Sequence, residues 1–287
     1  SRRRHTRFKC DWSSDVCSSD LPYFSNRLLL NKVVTEGRRF EMLVYLLYLH
    51  HTGDSRDPLS GLTAANFKRI CAAQKVASPG RALAILGIMR IAGYLRRDRA
   101  GADSRVVRLA PTADFLDIVE GWNRVMLRIV DAAAPGARLA EAHARYPGLG
   151  VSMRTRAARA LLAGWHLLEA YPEARRFIDR DGGWMLLLHC VDASLRAGAR
   201  RVIAPVTVDL AAFGRRFGVS RSHLRRLLES AYGDGLLAAP PRNGSHILLA
   251  RELVASFLTC MASELSFCLG IAEAARDEIL DARAPAN

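Results

Sequence analysis

Lysine is nearly missing from this chain: four occur in 287 residues, and almost all the positive charge is arginine. With alanine abundant throughout, that skew marks a GC-rich genome. Codon usage explains arginine in place of lysine; it does not explain a surplus of cations over anions. The chain also lacks GxxxxGK[ST], HExxH and GxSxG, and no pair of carboxylates stands out. These gaps remove phosphate-cradling, zinc-peptidase and serine-hydrolase chemistry, so the expectation is a protein that is not an enzyme and uses no cofactor. Cysteine is sparse and scattered, with no CxxC and no Cys/His cluster. Cys71, Cys190, Cys260 and Cys268 sit among apolar neighbours, which predicts buried thiols in a reducing compartment and no metal site. His50 and His51 with Asp54 read as histidines at a helix end, since adjacent residues on a helix point to different faces. The apolar run LVYLLYL (43–49) is far short of the ~20 residues of a membrane span. A cytoplasmic protein with no membrane partner is expected.

What the chain has at its start is odd. DWSSDVCSSDL (11–21) repeats Ser-Ser-Asp with no apolar period and is too polar for a signal peptide. All eleven residues resemble the in-frame translation of a common short-read sequencing adapter. Residues 1–21 are therefore set apart as an artefactual, disordered tail, with the gene proper beginning near Pro22. The remainder still carries 37 basic against 25 acidic residues, a net charge of +12. A surplus of that size favours a polyanionic partner, nucleic acid before an anionic membrane surface.

A repeat appears at a spacing of 142 residues. ASPGRALAILGIMRIAGYL (77–95) lies over VSRSHLRRLLESAYGDGLL (219–237), with Ser78 on Ser220, Ile85 on Leu227, Leu86 on Leu228, Gly93 on Gly235 and Leu95 on Leu237. Phe115-Leu116 falls on Phe257-Leu258 in the same register. Each copy reads in the same order. An apolar helix comes first (40–51 or 184–196), then a short helix (62–74 or 207–218) capped by Thr63 or Thr207. A second helix opens at Ser78 or Ser220 and stops at Gly93 or Gly235. A hairpin follows (94–111 or 236–250, the latter with Asn243-Gly244 at its tip), then a long helix (112–131 or 250–280).

That order resembles the winged helix-turn-helix domain of MarR-type bacterial regulators, with VSRSHLRRLLESAYGDGLL similar to the recognition helix of many of them. The resemblance implies a mainly α fold: two winged helix-turn-helix units in one chain, with small β-hairpin wings and long flanking helices. The first unit is placed at 22–131, a linker with one helix at 132–183, and the second unit at 184–287. AAAPGARLAEA would be a flexible hinge, and Arg154, Arg156 and Arg159 would form the wet face of a linker helix over 153–170.

A recognition helix must enter a major groove and offer donors to bases and phosphates. In the second copy Arg221, Ser222, His223, Arg225 and Arg226 lie in its first two turns, with Leu224, Leu227 and Leu228 on the opposite face. The wings supply Arg96, Arg97, Arg99 and Arg105 in the first copy, and Arg242, Asn243 and His246 in the second. In the first copy the equivalent helix carries only Arg81 and Arg90 among Ala, Leu and Ile, a pattern of packing. The expected division of labour has copy two reading bases while copy one clamps phosphates. The expectation is a sequence-specific regulator of transcription that binds double-stranded DNA, as an intrachain pseudo-dimer or a homodimer, with any small-molecule effector unspecified. Two rivals stand beside it: a plasmid-type replication initiator with two winged helices, and a winged-helix scaffold that contacts protein instead of DNA.

Overall fold

The computed structural model describes residues 28–34, 36–54, 56–57, 59–98, 107–198, 203–241 and 245–283. Helix makes up 69% and strand 6%, so the chain is mainly α, with two small antiparallel sheets. The tail at 1–21 lies outside the described residues.

The first half runs α1 (Leu28–Val34), α2 (Gly37–Thr52), α3 (Ala64–Ala73), α4 (Pro79–Ile91), β1 (Leu95–Asp98), β2 (Arg108–Pro111) and α5 (Ala113–Ala133). Its helix starts have local causes. The Thr63 hydroxyl accepts the Asn66 N–H at 3.1 Å, and the Ser78 hydroxyl accepts that of Arg81 at 3.3 Å. Each satisfies a donor that the first helical turn leaves without a partner. Pro79 follows where no N–H is needed. β1 and β2 pair antiparallel, Leu95 opposite Pro111 and Asp98 opposite Arg108. The Leu109 N–H donates to the Leu62 carbonyl at 2.8 Å, which lays the segment before α3 along β2.

The middle holds α6 (Leu139–Arg145), α7 (Leu149–Leu162), a 3₁₀ turn (Leu167–Ala170) and α8 (Pro172–Ile178). It corrects two expectations. The Pro-Gly stretch after α5 is pinned, not a free hinge: the Asp131 carboxylate accepts the N–H groups of Leu139 and Ala140 at 2.8 and 2.9 Å, and Arg276 donates to the Ala137 carbonyl at 3.0 Å. The linker arginines are not one wet face either. Arg154 turns inward to Glu120 at 2.6 Å and Arg156 reaches Glu278 at 2.8 Å, which leaves Arg159 as the exposed member.

The second half runs α9 (Gly183–Ala197), β3 (Val206–Thr207), α10 (Leu210–Phe217), α11 (Arg221–Gly233), β4 (His246–Ile247) and α12 (Arg251–Asp281). Here the expected cap is wrong by two residues. Thr207 lies in β3 opposite His246, and Asp209 caps α10, accepting from Ala211 and Ala212 at 2.9 and 3.0 Å. A carboxylate at that place also meets the positive end of the helix dipole. Leu237 bridges Leu249, so the segment after α11 runs beside the one before the long helix. The two-stranded hairpin expected over 236–250 differs among the described residues: β4 pairs with β3, ahead of α10. Gly93 and Gly235 close α4 and α11 with φ of 76° and 74°. That left-handed turn is open to glycine at little cost.

Three apolar clusters follow from this order. One lies in the first half around Tyr45, Phe67 and Phe115, one in the second around Leu224, Leu228 and Phe257. The third joins Leu127 and Val130 of α5, Leu139 of α6 and Leu149 of α7 to Ala272 and Ala275 of α12. The two long helices therefore each belong to one half at their beginnings and meet in the middle at their ends. α12 also bears on the membrane expectation. A window of 18 residues in this 31-residue helix has a mean hydropathy of 1.6 and is 22% buried, so it is long and apolar enough to cross a membrane on length and composition alone. That helix, and not the run at 43–49, is the one among the described residues that is both long and apolar enough.

Candidate nucleic-acid interface

The turn from α10 to α11 sets the angle of the candidate reading helix. Gly214 is required there by space: a Cβ on it would stand 2.3 Å from the Val219 carbonyl oxygen. The Ser220 hydroxyl then accepts the His223 N–H at 3.2 Å and starts α11. Leu224, Leu227, Leu228 and Ala231 recur at helical spacing and are buried. That seating turns Arg221, Ser222, Arg225 and Arg226 to solvent, as the periodicity requires. Ser222 lies 3.2 Å from the Ser220 hydroxyl. Neither Arg221 nor Arg226 makes an ion pair among the described residues, though Arg221 lies close enough to Asp209 to lower its pKa. The larger causes of that low value are the backbone N–H groups of Ala212 and Ala211.

Two members of the set differ from expectation. His223 is half-buried, and its Nε2 is shielded from solvent with no hydrogen-bond partner among the described residues, so it faces the body of the domain more than a groove. Arg225 donates to Glu229 at 2.8 Å along the same helix face, the two side chains being 66% and 49% exposed. Sequence reading missed Glu229, although its place four residues on from an arginine is itself the signal. An exposed pair of this kind is worth about 0.3–0.5 kcal/mol. It leaves Arg225 at the surface and available for exchange to a stronger acceptor.

The residues expected in the two hairpins divide. Arg96 and Arg97 on β1 are both exposed. Arg99, Arg105, Arg242 and Asn243 lie outside the described residues. His246 is exposed and stands 3.3 Å from the Thr207 hydroxyl across the β3–β4 pair. Arg108, by contrast, is structural: it donates to the carbonyls of Asp54 and Asp57 and to the Ser60 hydroxyl, tying down the loop before α3.

In the first half α4 buries Ala82, Ile85, Leu86 and Met89. Its outer face carries Leu83 at 45% and Ile91 at 83% exposure. Gly80 and Gly87 are open to solvent there, with nothing within 4 Å of an added Cβ. Arg81, one of the expected contacts, is drawn toward Glu36 at 3.9 Å. Beside the end of α4, a shallow groove of about 450 Å³ runs between the helix and β1, bounded by Arg90, Ile91, Arg96 and Arg97.

A part-buried polar junction joins α5, α6 and α7. Glu120 of α5 takes hydrogen bonds from Arg154 at 2.6 Å and Asn123 at 3.2 Å, and stands 2.9 Å from His143. Burial alone would raise its pKa, but the Arg154 charge and the hydrogen bonds overcome that and hold the carboxyl below its ordinary value. Arg154 also approaches His51 at 3.4 Å. Burial first, then the charges of Arg154 and His50, push His51 down to about 4. His50 and His51 are thus neutral helix-end histidines in ordinary conditions. Among the described residues no group of three or more His, Cys, Asp or Glu gathers as a metal site. No protein-family model matches the chain, and neither a curated protein nor a solved structure matches it.

Proposed function

We propose that this chain is a regulator of transcription that binds duplex DNA through two winged helix-turn-helix units, the second of which reads bases. The observation that carries the reading is α11. A serine-capped helix held by three buried leucines turns outward a serine, one loosely paired arginine and two arginines that make no ion pair among the described residues. Arginine takes guanine bidentately or a phosphate, and serine suits either. The net charge of +12 outside the tail, 37 basic against 25 acidic residues, adds a field that draws in a polyanion. The meeting of α5 and α12 in the third cluster supports a pseudo-dimer within one chain.

A second reading draws on the unequal copies. The apolar outer face of α4 suits contact with protein, as a winged-helix scaffold would use it; a plasmid-type initiator would still bind DNA, at iterated short repeats. Selection of bound duplexes from a random pool, then titration against salt, tests the main reading. With about six phosphates neutralised, affinity falls about 10³-fold between 50 and 200 mM salt. Arg225→Ala weakens the selected site more than random duplex, and Arg97→Ala weakens both alike. A flat salt response removes DNA as the partner.

A further inference from the structure

A cleft of about 740 Å³ opens between the two halves, a size typical of sites for small ligands. Its walls are the start of α2, the first turn of α4, α8 with the turn after it, and the last turns of α11. Five guanidiniums face three carboxylates around it, a surplus of two positive charges. Two arginines are committed: Arg176 holds Asp234 at 2.6 Å and Arg175 holds Asp179 at 3.1 Å. The other three are not. Arg38 stands 4.0 Å from Asp179 and Arg81 3.9 Å from Glu36, and Arg180 makes no ion pair among the described residues.

A second observation comes from Glu36, which lines the same cleft at 4% exposure. Its Oε2 is 2.8 Å from Arg39 as an ion pair, yet no donor among the described residues meets that oxygen with hydrogen-bond geometry. Burial raises its pKa against the pull of Arg39 and Arg81. With its charge held by Arg39 at 2.8 Å, Glu36 leaves Arg81, 3.9 Å away, for an incoming anion. A phosphate monoester brings three terminal oxygens and about two negative charges. That matches three guanidiniums from three separate elements and the surplus they leave.

We propose that this cleft binds a small phosphorylated metabolite, with Arg38, Arg81 and Arg180 taking its phosphate oxygens. Because both halves supply walls, an occupant fixes α4 relative to α11. A resulting change in duplex affinity rests on the DNA reading above; the binding itself does not.

Pyrophosphate is the probe, titrated by calorimetry into the full chain without DNA, against sodium chloride of matched ionic strength. One saturable site is expected, weakened at least tenfold by Arg180→Ala and by Arg38→Ala. Arg128→Ala, which removes an exposed charge elsewhere, leaves it unchanged. Unaltered circular dichroism shows that the variants are folded; should either cleft variant fail that check, Arg180→Lys, which keeps the charge and loses the fork, is expected to weaken binding in its place. No saturation, or equal losses in all three alanine variants, overturns the site. If the cleft takes the DNA backbone instead, a short duplex displaces pyrophosphate and both cleft variants lose duplex affinity in parallel, which also overturns it. Pyrophosphate binding with no duplex binding by the wild type would sink the regulator reading and leave this site standing.

Discussion

Glu229→Gln is the sharpest perturbation of the α11 surface, because it removes the charge from the pair that occupies Arg225. Two effects have the same sign. Releasing Arg225 from an exposed i,i+4 pair saves about 0.3–0.5 kcal/mol otherwise needed to free it. Removing a negative charge that would stand on the order of 7 Å from a docked phosphate relieves about 0.6 kcal/mol of repulsion in water. Together these come to about 1 kcal/mol, or roughly fivefold tighter binding. The assay is fluorescence anisotropy with a labelled selected duplex near physiological salt. In an Arg225→Ala background the gain should shrink to the repulsion alone, roughly two- to threefold, since the two residues no longer interact. Stability changes little, because the lost pair is exposed. If Glu229→Gln leaves affinity unchanged or lowers it, α11 does not face DNA along this stripe, and the assignment of Arg225 goes with it.

Three further outcomes follow from the packing. Gly214→Ala forces a Cβ within 2.3 Å of the Val219 carbonyl and should cost about 1–3 kcal/mol as backbone shifts to relieve it, read as a lower urea midpoint with an unchanged slope. Arg154→Ala leaves Glu120 and His143 facing each other without their guanidinium. Its side chain is 11% exposed, so the loss approaches the roughly 3–5 kcal/mol seen for one partner of a buried pair, reduced because Glu120 retains some solvent contact, to about 2–3 kcal/mol; thermal unfolding reads it. His51 has a folded pKa below its unfolded value. Stability it supports is therefore present above the unfolded pKa of about 6.5 and is lost as pH falls toward about 4. His51→Gln should flatten the dependence of the melting temperature on pH between about 7 and 5; an unchanged slope places the titration elsewhere.

Most of the element order was legible because punctuation and period agreed. Ser78, Ser220, Gly93 and Gly235 mark helix ends by chemistry that needs no tertiary context, and the buried faces of α4 and α11 follow from spacing alone. What failed needed partners distant in sequence. Arg154 reads as a solvated cation until Glu120, 34 residues earlier, is placed beside it. The Pro-Gly stretch reads as a hinge until Asp131 and Arg276 hold it from both sides. Thr207 is a plausible cap because threonine is a good one, but Asp209 stands where the first free N–H groups of α10 point. Propensity names the candidates at such a boundary and the strand register decides between them.

If the repeat register is a duplication, its two copies differ in what their matched helices offer, and this bears on how one chain could use both. In the repeat register Arg221, Ser222, Arg225 and Arg226 of α11 fall on Pro79, Gly80, Leu83 and Ala84 of α4. The one cation on that stretch of the first copy is Arg81, the counterpart of His223, and it is already drawn toward Glu36. A helix with open glycines and an isoleucine at 83% exposure gains nothing from a polar groove beyond contact with thymine methyl groups. The arginines of the first copy instead sit at and past the end of the helix, at Arg90, Arg96 and Arg97, around a shallow groove. Charge placed there can neutralise phosphates without reading bases. Loss of those three cations should therefore reduce the salt slope while leaving the preferred sequence unchanged, and a changed consensus would show that the first copy reads bases too.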